Sequence, residues 1–393
     1  MSDRNSYRIL CCSSSMAGGG SERQLLQLLR GLDRQRFCLQ LFLLYQSGEL
    51  LGEVPNSIPV TAWRGPFPGL PLPGRFHRDQ VKAIGALVQG ERVELVYERL
   101  FHMALLTGQA LRGTRAARVT TIVSPPSQDV VKTERRWLAV KKRLLRQSYQ
   151  QADRVLAVSA STADDASRFY DLPRERFEVI PSPIDCQRID RLLAADEDAL
   201  HRWRTDRAMP QVVSVGRLSH EKGQRFLIEA IGRVERISGH KLMLHLVGDG
   251  PMRGELEELV ARMGLANRIL FHGFQANPYL WIRKADLLVL PSLYEGFPNV
   301  LMEAMYCQVP ALVTDVSMDV RQMMEEVGGY PPVPGGSSDA LATAIVDRFE
   351  SPSRWLDAAS RSRQRIMDHH QLPQWLDRMA CLFAETIERR RES

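Results

Sequence analysis

Two glutamates with seven residues between them, Glu295 and Glu303, carry the most chemical promise in this chain. They sit in Leu287-Leu288-Val289-Leu290-Pro291-Ser292-Leu293-Tyr294-Glu295-Gly296-Phe297-Pro298-Asn299-Val300-Leu301-Met302-Glu303-Ala304-Met305. The apolar run at its start suits a strand buried on both faces. Pro298 suits the first turn of a helix, because its fixed φ is already helical. Glu295 then lies in the loop before that helix. Glu303 lies on the helix itself, roughly 7–8 Å beyond Pro298 at about 1.5 Å per residue. Carboxylates on either side of a helix N-terminus can hold the two ends of one ligand whose anionic middle faces that N-terminus. The spacing alone is common, and an ordinary strand–helix turn with two solvated glutamates is the plain alternative.

Cations to meet such an anion stand earlier in the chain. Gln211-Val212-Val213-Ser214-Val215-Gly216-Arg217-Leu218-Ser219-His220-Glu221-Lys222-Gly223 reads as a strand, then a loop, with a helix from Gln224. The loop carries a forked guanidinium and a compact ammonium. At the C-terminal end of a strand this pair suits a diphosphate, although two loop cations are also ordinary surface charge. Near the start of the chain, Gly18-Gly19-Gly20 closes a small-residue loop between a strand and a helix, and Ser21 is placed to cap that helix. Bare amides there admit a ligand, and a plain tight turn explains the glycines equally well.

The elements that must hold these residues alternate. Strands are expected at 7–12, 37–45, 94–97, 118–123, 154–159 and 177–180, with a short pairing segment at 58–63. Helices are expected over 22–31, to about Gln89, from about His102 and from Ser161. Residues 66–74 are too rich in proline and glycine for regular structure. Pro181-Ser182-Pro183-Ile184-Asp185 is a stiff linker, which divides the chain into 1–183 and 184–370. The second part repeats the alternation, with strands at 211–216, 242–247, 269–274, 287–290 and 309–313. Its turn Gly248-Asp249-Gly250-Pro251 is expected to start a helix at Pro251, and helices follow at 320–326 and 340–349. A last helix, 372–391, lies in a closing segment, 371–393. Such alternation means α/β architecture, with parallel sheets covered on both faces.

Composition narrows the partners. The 393 residues are 44% hydrophobic and 25% charged, enough for sizeable cores. No apolar run approaches the roughly 20 residues of a spanning helix, and the first residues lack the layout of a secretion signal. The six cysteines show no metal-binding or redox spacing, so a reducing cytoplasm is the expected compartment. The formal charge of +6 permits an anionic partner without naming one. There is no zinc finger, RNP-like run or basic zipper, so no nucleic acid is expected. Residues 134–151 form a basic amphipathic helix with Arg135, Arg136, Lys141, Lys142, Arg143 and Arg146 beside Trp137 and several leucines. It is either a solvated face or an interfacial helix lying on anionic lipid.

The Glu295–Glu303 stretch closely resembles the donor-site signature of retaining glycosyltransferases of family 4. Gly19-Gly20-Ser21-Glu22-Arg23, the Gly216–Gly223 loop and Gly248-Asp249-Gly250-Pro251 resemble that family too, so the likeness covers nearly the whole chain. It implies the GT-B fold, with two facing Rossmann-like domains and a cleft between them. The first domain would take the acceptor, the second the nucleotide sugar, and the last helix would cross back onto the first. By the same resemblance, Arg217, Lys222 and Glu295 are the catalytic residues, with the two cations neutralising the departing diphosphate. Glu303 would bind ribose hydroxyls, and Phe274 would flank the base. Gly19, Gly20, Gly216, Gly296, Phe297, Pro298, Asn299 and Val300 complete the donor contacts. His102 matches a frequent family histidine near the acceptor, and loop 66–74 could border it; a structural role at a helix start explains His102 as well.

The expected activity is transfer of a hexose-type sugar, from a UDP-sugar ahead of a GDP-sugar, to a glycan or lipid-linked acceptor. Retention of configuration and a place in cell-surface polysaccharide biosynthesis follow from the resemblance, whereas a peripheral position on the inner membrane face is expected from the basic helix 134–151. No cofactor and no metal are expected, because protein cations replace the metal; Asp196-Glu197-Asp198 reads as solvated. Two departures stand out: Ser124-Pro125-Pro126 replaces a common histidine site, and Asp315-Val316-Ser317-Met318-Asp319 replaces a Gly-rich turn with Glu. A nucleotide-sugar epimerase of the same plan and a catalytically silent scaffold are the rival readings.

Overall fold

The computed structural model describes residues 6–63, 75–133, 137–195 and 209–392. Loop 66–74, Arg135, Arg136 and Asp196-Glu197-Asp198 lie outside the described residues. The chain divides into two compact units, Met1–Pro183 with Leu372–Ser393, and Ile184–Gln371.

In the first unit, β1 (Tyr7–Ser13) leads to α1 (Gly20–Gly31), β2 (Phe37–Leu43), β3 (Val60–Ala62) and α2 (Arg75–Gly90). Then come β4 (Leu95–Arg99), α3 (Phe101–Ala110), β5 (Ala117–Ile122), α4 (Pro126–Thr133), α5 (Leu138–Gln151), β6 (Arg154–Ala157), α6 (Ala160–Tyr170) and β7 (Phe177–Val179). The strands form one parallel sheet in the order β3-β2-β1-β4-β5-β6-β7. Every residue of β4 and β5 is buried, including Glu98 and Arg118. These two pair inside the core, Arg118 Nε 3.2 Å from Glu98 Oε1, and Arg118 Nη2 also donates to Ser148 Oγ at 2.8 Å. Burial pushes the Glu98 carboxyl up, and the Arg118 cation pulls it back. Removing either partner would strand the other in the core.

Two local expectations need correction. α1 starts before Ser21: Gly19 is its N-cap, and no side chain caps it. Ser21 therefore sits within the first turn, and its hydroxyl accepts a bond from Arg99 Nε at 3.1 Å. α5 begins at Leu138, not at residue 134, and its cations do not all face water. The Lys141 ammonium lies 5.4 Å from the Phe101 ring centroid, and that of Lys142 lies 4.9 Å from Phe169. Arg146 pairs with Asp171 at 3.0 Å. The exposed side instead carries Trp137, Val140 and Leu144, spaced at helical intervals.

The second unit opens with α7 (Cys186–Ala195) and continues through β8 (Gln211–Val215), α8 (Gln224–Ser238), β9 (Met243–Val247), α9 (Arg253–Arg262), β10 (Ile269–Gly273) and α10 (Tyr279–Lys284). It closes with β11 (Leu287–Leu290), α11 (Asn299–Tyr306), β12 (Ala311–Val313), α12 (Met318–Glu326), α13 (Ser338–Glu350) and α14 (Pro352–His369). Its parallel sheet runs β10-β9-β8-β11-β12. The run Leu287–Leu290 is buried throughout, as a strand covered on both faces must be. After β9 the helix begins at Arg253 rather than Pro251. The turn between is drawn tight, since Met252 N donates to Leu218 O at 3.0 Å.

The final helix, α15 (Leu372–Glu392), belongs to the first unit. Its Trp375, Met379, Leu382, Phe383 and Ile387 join the core built from β1, β2 and α1. Phe383 lies 5.3 Å from Tyr97 of β4, ring to ring.

Candidate active site

In the second sheet the strand order reverses between β8 and β11. At such a switch point the loops after the two strands leave side by side at the carboxyl edge, where α/β sheets bind their ligands. The loop after β8 carries Arg217 and Lys222, and the loop after β11 carries Glu295.

The first loop is held from below. Gly216 N donates to Val247 O at 2.9 Å and Leu218 N to Asp249 O at 3.0 Å. Gly248 adopts φ +136°, and a Cβ there would lie 2.0 Å from Gly216 O, so this strand-end crossing admits only glycine. Residues His220–Lys222 form a single 3-10 turn closed by Gly223 at φ +65°. A Cβ on Gly223 would lie 2.1 Å from Pro291 O, so its bare α-carbon lets the two loops touch. Leu293 N then donates to Glu221 O at 2.8 Å and joins them.

That junction sets the side chains. Lys222 Nζ donates to Glu295 Oε1, and Ser292 Oγ donates to the same oxygen at 2.9 Å. Both partners are mostly withdrawn from water, with side-chain exposures of 29% and 14%, so the pair interacts more strongly than a surface pair. Arg217 is 69% exposed and reaches outward. Its Nη2 donates to Glu221 Oε1 at 3.0 Å, and Ser219 Oγ donates to that oxygen at 2.6 Å. Gln224 Nε2 steadies the Arg217 backbone carbonyl at 2.9 Å. Glu221 and Ser292 are organising residues that sequence reasoning missed, and only their adjacency to Lys222 and Glu295 hinted at them.

The other expected residues spread around this pair. Pro298 is the N-cap of α11, and Asn299 and Val300 form its half-buried first turn. Gly296 is buried, and the half-buried Phe297 ring lies 5.6 Å from His370. Glu303 lies on α11, where Tyr279 OH donates to its Oε1 at 3.4 Å. Phe274 is exposed just past the end of β10. Gly19, Gly20 and His102 belong to the first unit, the glycines exposed at the start of α1 and His102 exposed at the start of α3. Desolvation, helped by the nearby Lys141 ammonium, holds the His102 imidazole below its ordinary range.

Across β8, β9 and β10 runs a histidine relay that the sequence did not announce. Gln211 Nε2 donates to Met209 O at 2.6 Å, which leaves Gln211 Oε1 as an acceptor for His245 Nε2–H at 2.7 Å. His245 Nδ1 must then accept from His272 Nε2–H, 2.9 Å away. Burial, and then His272, push the His245 imidazole down to about 3, so it is neutral. Among the described residues no cluster of three or more His, Cys, Asp or Glu side chains is placed to hold a metal.

Comparison with known proteins gives this geometry a lineage. Residues 18–188 match the family model described as Glycosyltransferase Family 4, and residues 209–351 match the one described as Glycosyl transferases group 1. An N-acetylgalactosamine-N,N'-diacetylbacillosaminyl-diphospho-undecaprenol 4-alpha-N-acetylgalactosaminyltransferase of Campylobacter jejuni is 28% identical over 184 residues, 47% of this chain and 47% of that protein. A 2-deoxystreptamine N-acetyl-D-glucosaminyltransferase of Streptomyces fradiae is 32% identical over 217 residues, 53% of this chain and 50% of that protein. The chain thus spans about half the length of these curated relatives. The solved structure of Anabaena HepE in complex with UDP and glucose covers 96% of this chain and 100% of its own, with a TM-score of 0.80 at 21% identity, a likeness of fold. A Glycosyltransferase Family 4 domain followed by a Glycosyl transferases group 1 domain makes this chain a GT-B protein of the family 4 glycosyltransferase type.

Proposed function

We propose that the chain transfers a hexose-type sugar, from a UDP-sugar ahead of a GDP-sugar, to a glycan or lipid-linked acceptor with retention of configuration. The observation that carries this reading is the meeting of Lys222, Glu295 and Ser292 beside Arg217 at the switch point. When the bond from the sugar anomeric carbon to the diphosphate breaks, charge builds on the departing phosphate. Lys222 has three donors, so it can keep Glu295 and still meet a phosphate oxygen. Arg217 turns its exposed fork to the same group. Preorganised cations of this kind stabilise the transition state more than the ground state. The acceptor oxygen forms the new bond on the same face, and its proton passes to the leaving phosphate.

The remaining roles follow the same reading. Glu303 takes ribose hydroxyls, Glu295 with Gly296, Phe297 and Pro298 meets the sugar, and Phe274 flanks the base. Gly19, Gly20, Gly216, Asn299 and Val300 supply donor contacts, no metal takes part, and His102 serves the acceptor. A lipid-linked acceptor is supported by the diphospho-undecaprenol in the name of the Campylobacter relative. UDP is supported by the HepE complex. The exposed row Trp137, Val140 and Leu144 on α5 suits a docking face on an anionic bilayer, with Arg143 exposed among them. Among the described residues no helix is long and apolar enough to cross a membrane. Polysaccharide assembly at the cell surface is the setting we infer.

The test is a panel of UDP- and GDP-sugars, following nucleotide release with and without a lipid-linked glycan acceptor. Transfer releases nucleotide only with acceptor. Interconversion of the sugars would point to an epimerase, and no reaction to a silent scaffold. NMR of the product linkage checks retention, and a β-linked product from an α-linked donor would overturn it.

A further inference from the structure

The loop after β8 offers its cations to an anion, yet it carries an acid between them: Glu221 directly precedes Lys222 and pairs with Arg217. A carboxylate so placed repels a diphosphate, so its presence needs a physical reason. Its surroundings supply one. The Glu221 side chain is 12% exposed, whereas that of Arg217 is mostly in water. The carboxylate is therefore the fixed member of the pair and the guanidinium the mobile one. Glu221 Oε1 accepts from the hydroxyl of the buried Ser219 at 2.6 Å. The Glu221 backbone carbonyl accepts from Leu293 N at 2.8 Å, in the loop that carries Glu295.

Arg217 is thus tied twice. The buried Gln224 holds its backbone carbonyl at 2.9 Å, and Glu221 Oε1 holds its Nη2 at 3.0 Å. An ordinary surface pair contributes little, because two long side chains must both be ordered to make it. Here burial and Ser219 have already ordered one of them. A guanidinium has five N–H donors, so a single bond to Glu221 leaves most of the fork for a phosphate.

We propose that Glu221 is a positioning residue: its carboxylate, fixed against Ser219, aims the Arg217 guanidinium at the leaving phosphate before the donor arrives. This inference rests on the transferase reading above and involves the second unit alone. A cation ordered in advance loses no further freedom when the leaving group departs. The variants E221A, E221Q, E221D and R217A, with the double variant E221A/R217A, test it in the full chain. Titration calorimetry would use UDP and GDP, following the one that wild type binds more tightly, with the matching monophosphate as the control lacking the β-phosphate.

E221A should weaken diphosphate binding by about fivefold or more, with monophosphate affinity held within about twofold. E221Q should stay within about threefold of wild type, since its amide oxygen still accepts from Ser219 and Arg217. The double variant should bind within about twofold of R217A, as expected when one residue acts through the other. A merely structural role would weaken both nucleotides and add to the R217A loss, and that result would overturn the proposal. Diphosphate binding by E221A that is unchanged, or tighter, would overturn it as well. If E221A does not fold, E221D decides, because its shorter side chain keeps the charge but not the reach: a selective loss supports the proposal and unchanged affinity overturns it. Unchanged diphosphate binding in R217A would instead overturn the role given to Arg217 in the transferase reading, and this inference with it.

Discussion

Lys222 is already engaged, its ammonium on the Glu295 carboxylate that Ser292 also holds. On the proposed transfer reading, losing it would remove a charged hydrogen bond to the leaving group, and it would unbalance a half-buried carboxylate. Lys222→Ala should therefore lower kcat roughly tenfold or more, at on the order of 1.5–3 kcal/mol per charged bond, and should also lower Tm. Arg217→Ala should slow turnover comparably but leave Tm unchanged, because an exposed ion pair contributes little to stability. Glu303→Ala should weaken donor binding by a similar factor. Steady-state kinetics beside thermal melts would check all three, and unchanged kinetics throughout would remove these residues from the chemistry.

His245 supports a prediction in pH. Its folded value, about 3, lies below the ordinary 6.5, so the unfolded chain takes up the proton first. The relay's stabilisation is complete above about pH 6.5 and is lost progressively as pH falls toward 3. His245→Leu should destabilise the protein by about 1–3 kcal/mol at pH 7.5, by unpairing Gln211 and His272. It should also flatten the decline of Tm between pH 7 and pH 5. Parallel declines in the variant and wild type would show that other groups govern the acid limb.

Among the elements, those with a strong local period were legible. Leu287–Leu290 announced a strand by being apolar without a break, and Pro298 marked the start of α11. The Arg217–Lys222 loop could be placed because β8 and α8 bracket it clearly. What stayed hidden depended on partners distant in sequence. Ser21 has the chemistry of a cap, yet Arg99, 78 residues away, claims its hydroxyl. α14 buries Trp355, Ala358, Ala359, Ser362 and Ile366 at helical spacing, but small residues fill most of that face. On α5, counting cations overstated the basic face, since Phe101 and Phe169 draw Lys141 and Lys142 inward. Binding to anionic vesicles should accordingly depend more on the apolar row than on those lysines. Replacing Trp137, Val140 and Leu144 with Ser should abolish co-sedimentation at low salt, while Lys141→Gln with Lys142→Gln should reduce it less. Equal binding by the serine variant would leave α5 an ordinary solvated helix.

For the whole molecule, the two sheets are the same idea built twice, each parallel and each with one reversal of strand order beside its first strand. They differ in how the chain completes them. The second unit is one continuous stretch, whereas the first borrows α15 from the far end. Five large apolar side chains of α15 lie in the first core, each stabilising by roughly 1.5–3 kcal/mol when buried. Their sum matches the whole stability of an ordinary domain, about 5–15 kcal/mol. A chain cut after Gln371 should therefore lose the first unit while the second still melts cooperatively. Hydrogen exchange of the two units would show this, and full protection of residues 6–183 would refute it.

The placement of α15 also sets a timetable. A ribosome emits the chain from its first residue, at roughly 5–20 residues per second. Residues 6–183 emerge first and then wait roughly ten to forty seconds for Trp375, Phe383 and their neighbours. During that interval the nascent first unit carries an open apolar groove, while the later-made second unit has everything it needs. Birth order and folding order are thus reversed, and the newborn chain is most prone to aggregate, and most in need of a chaperone, in the half made first.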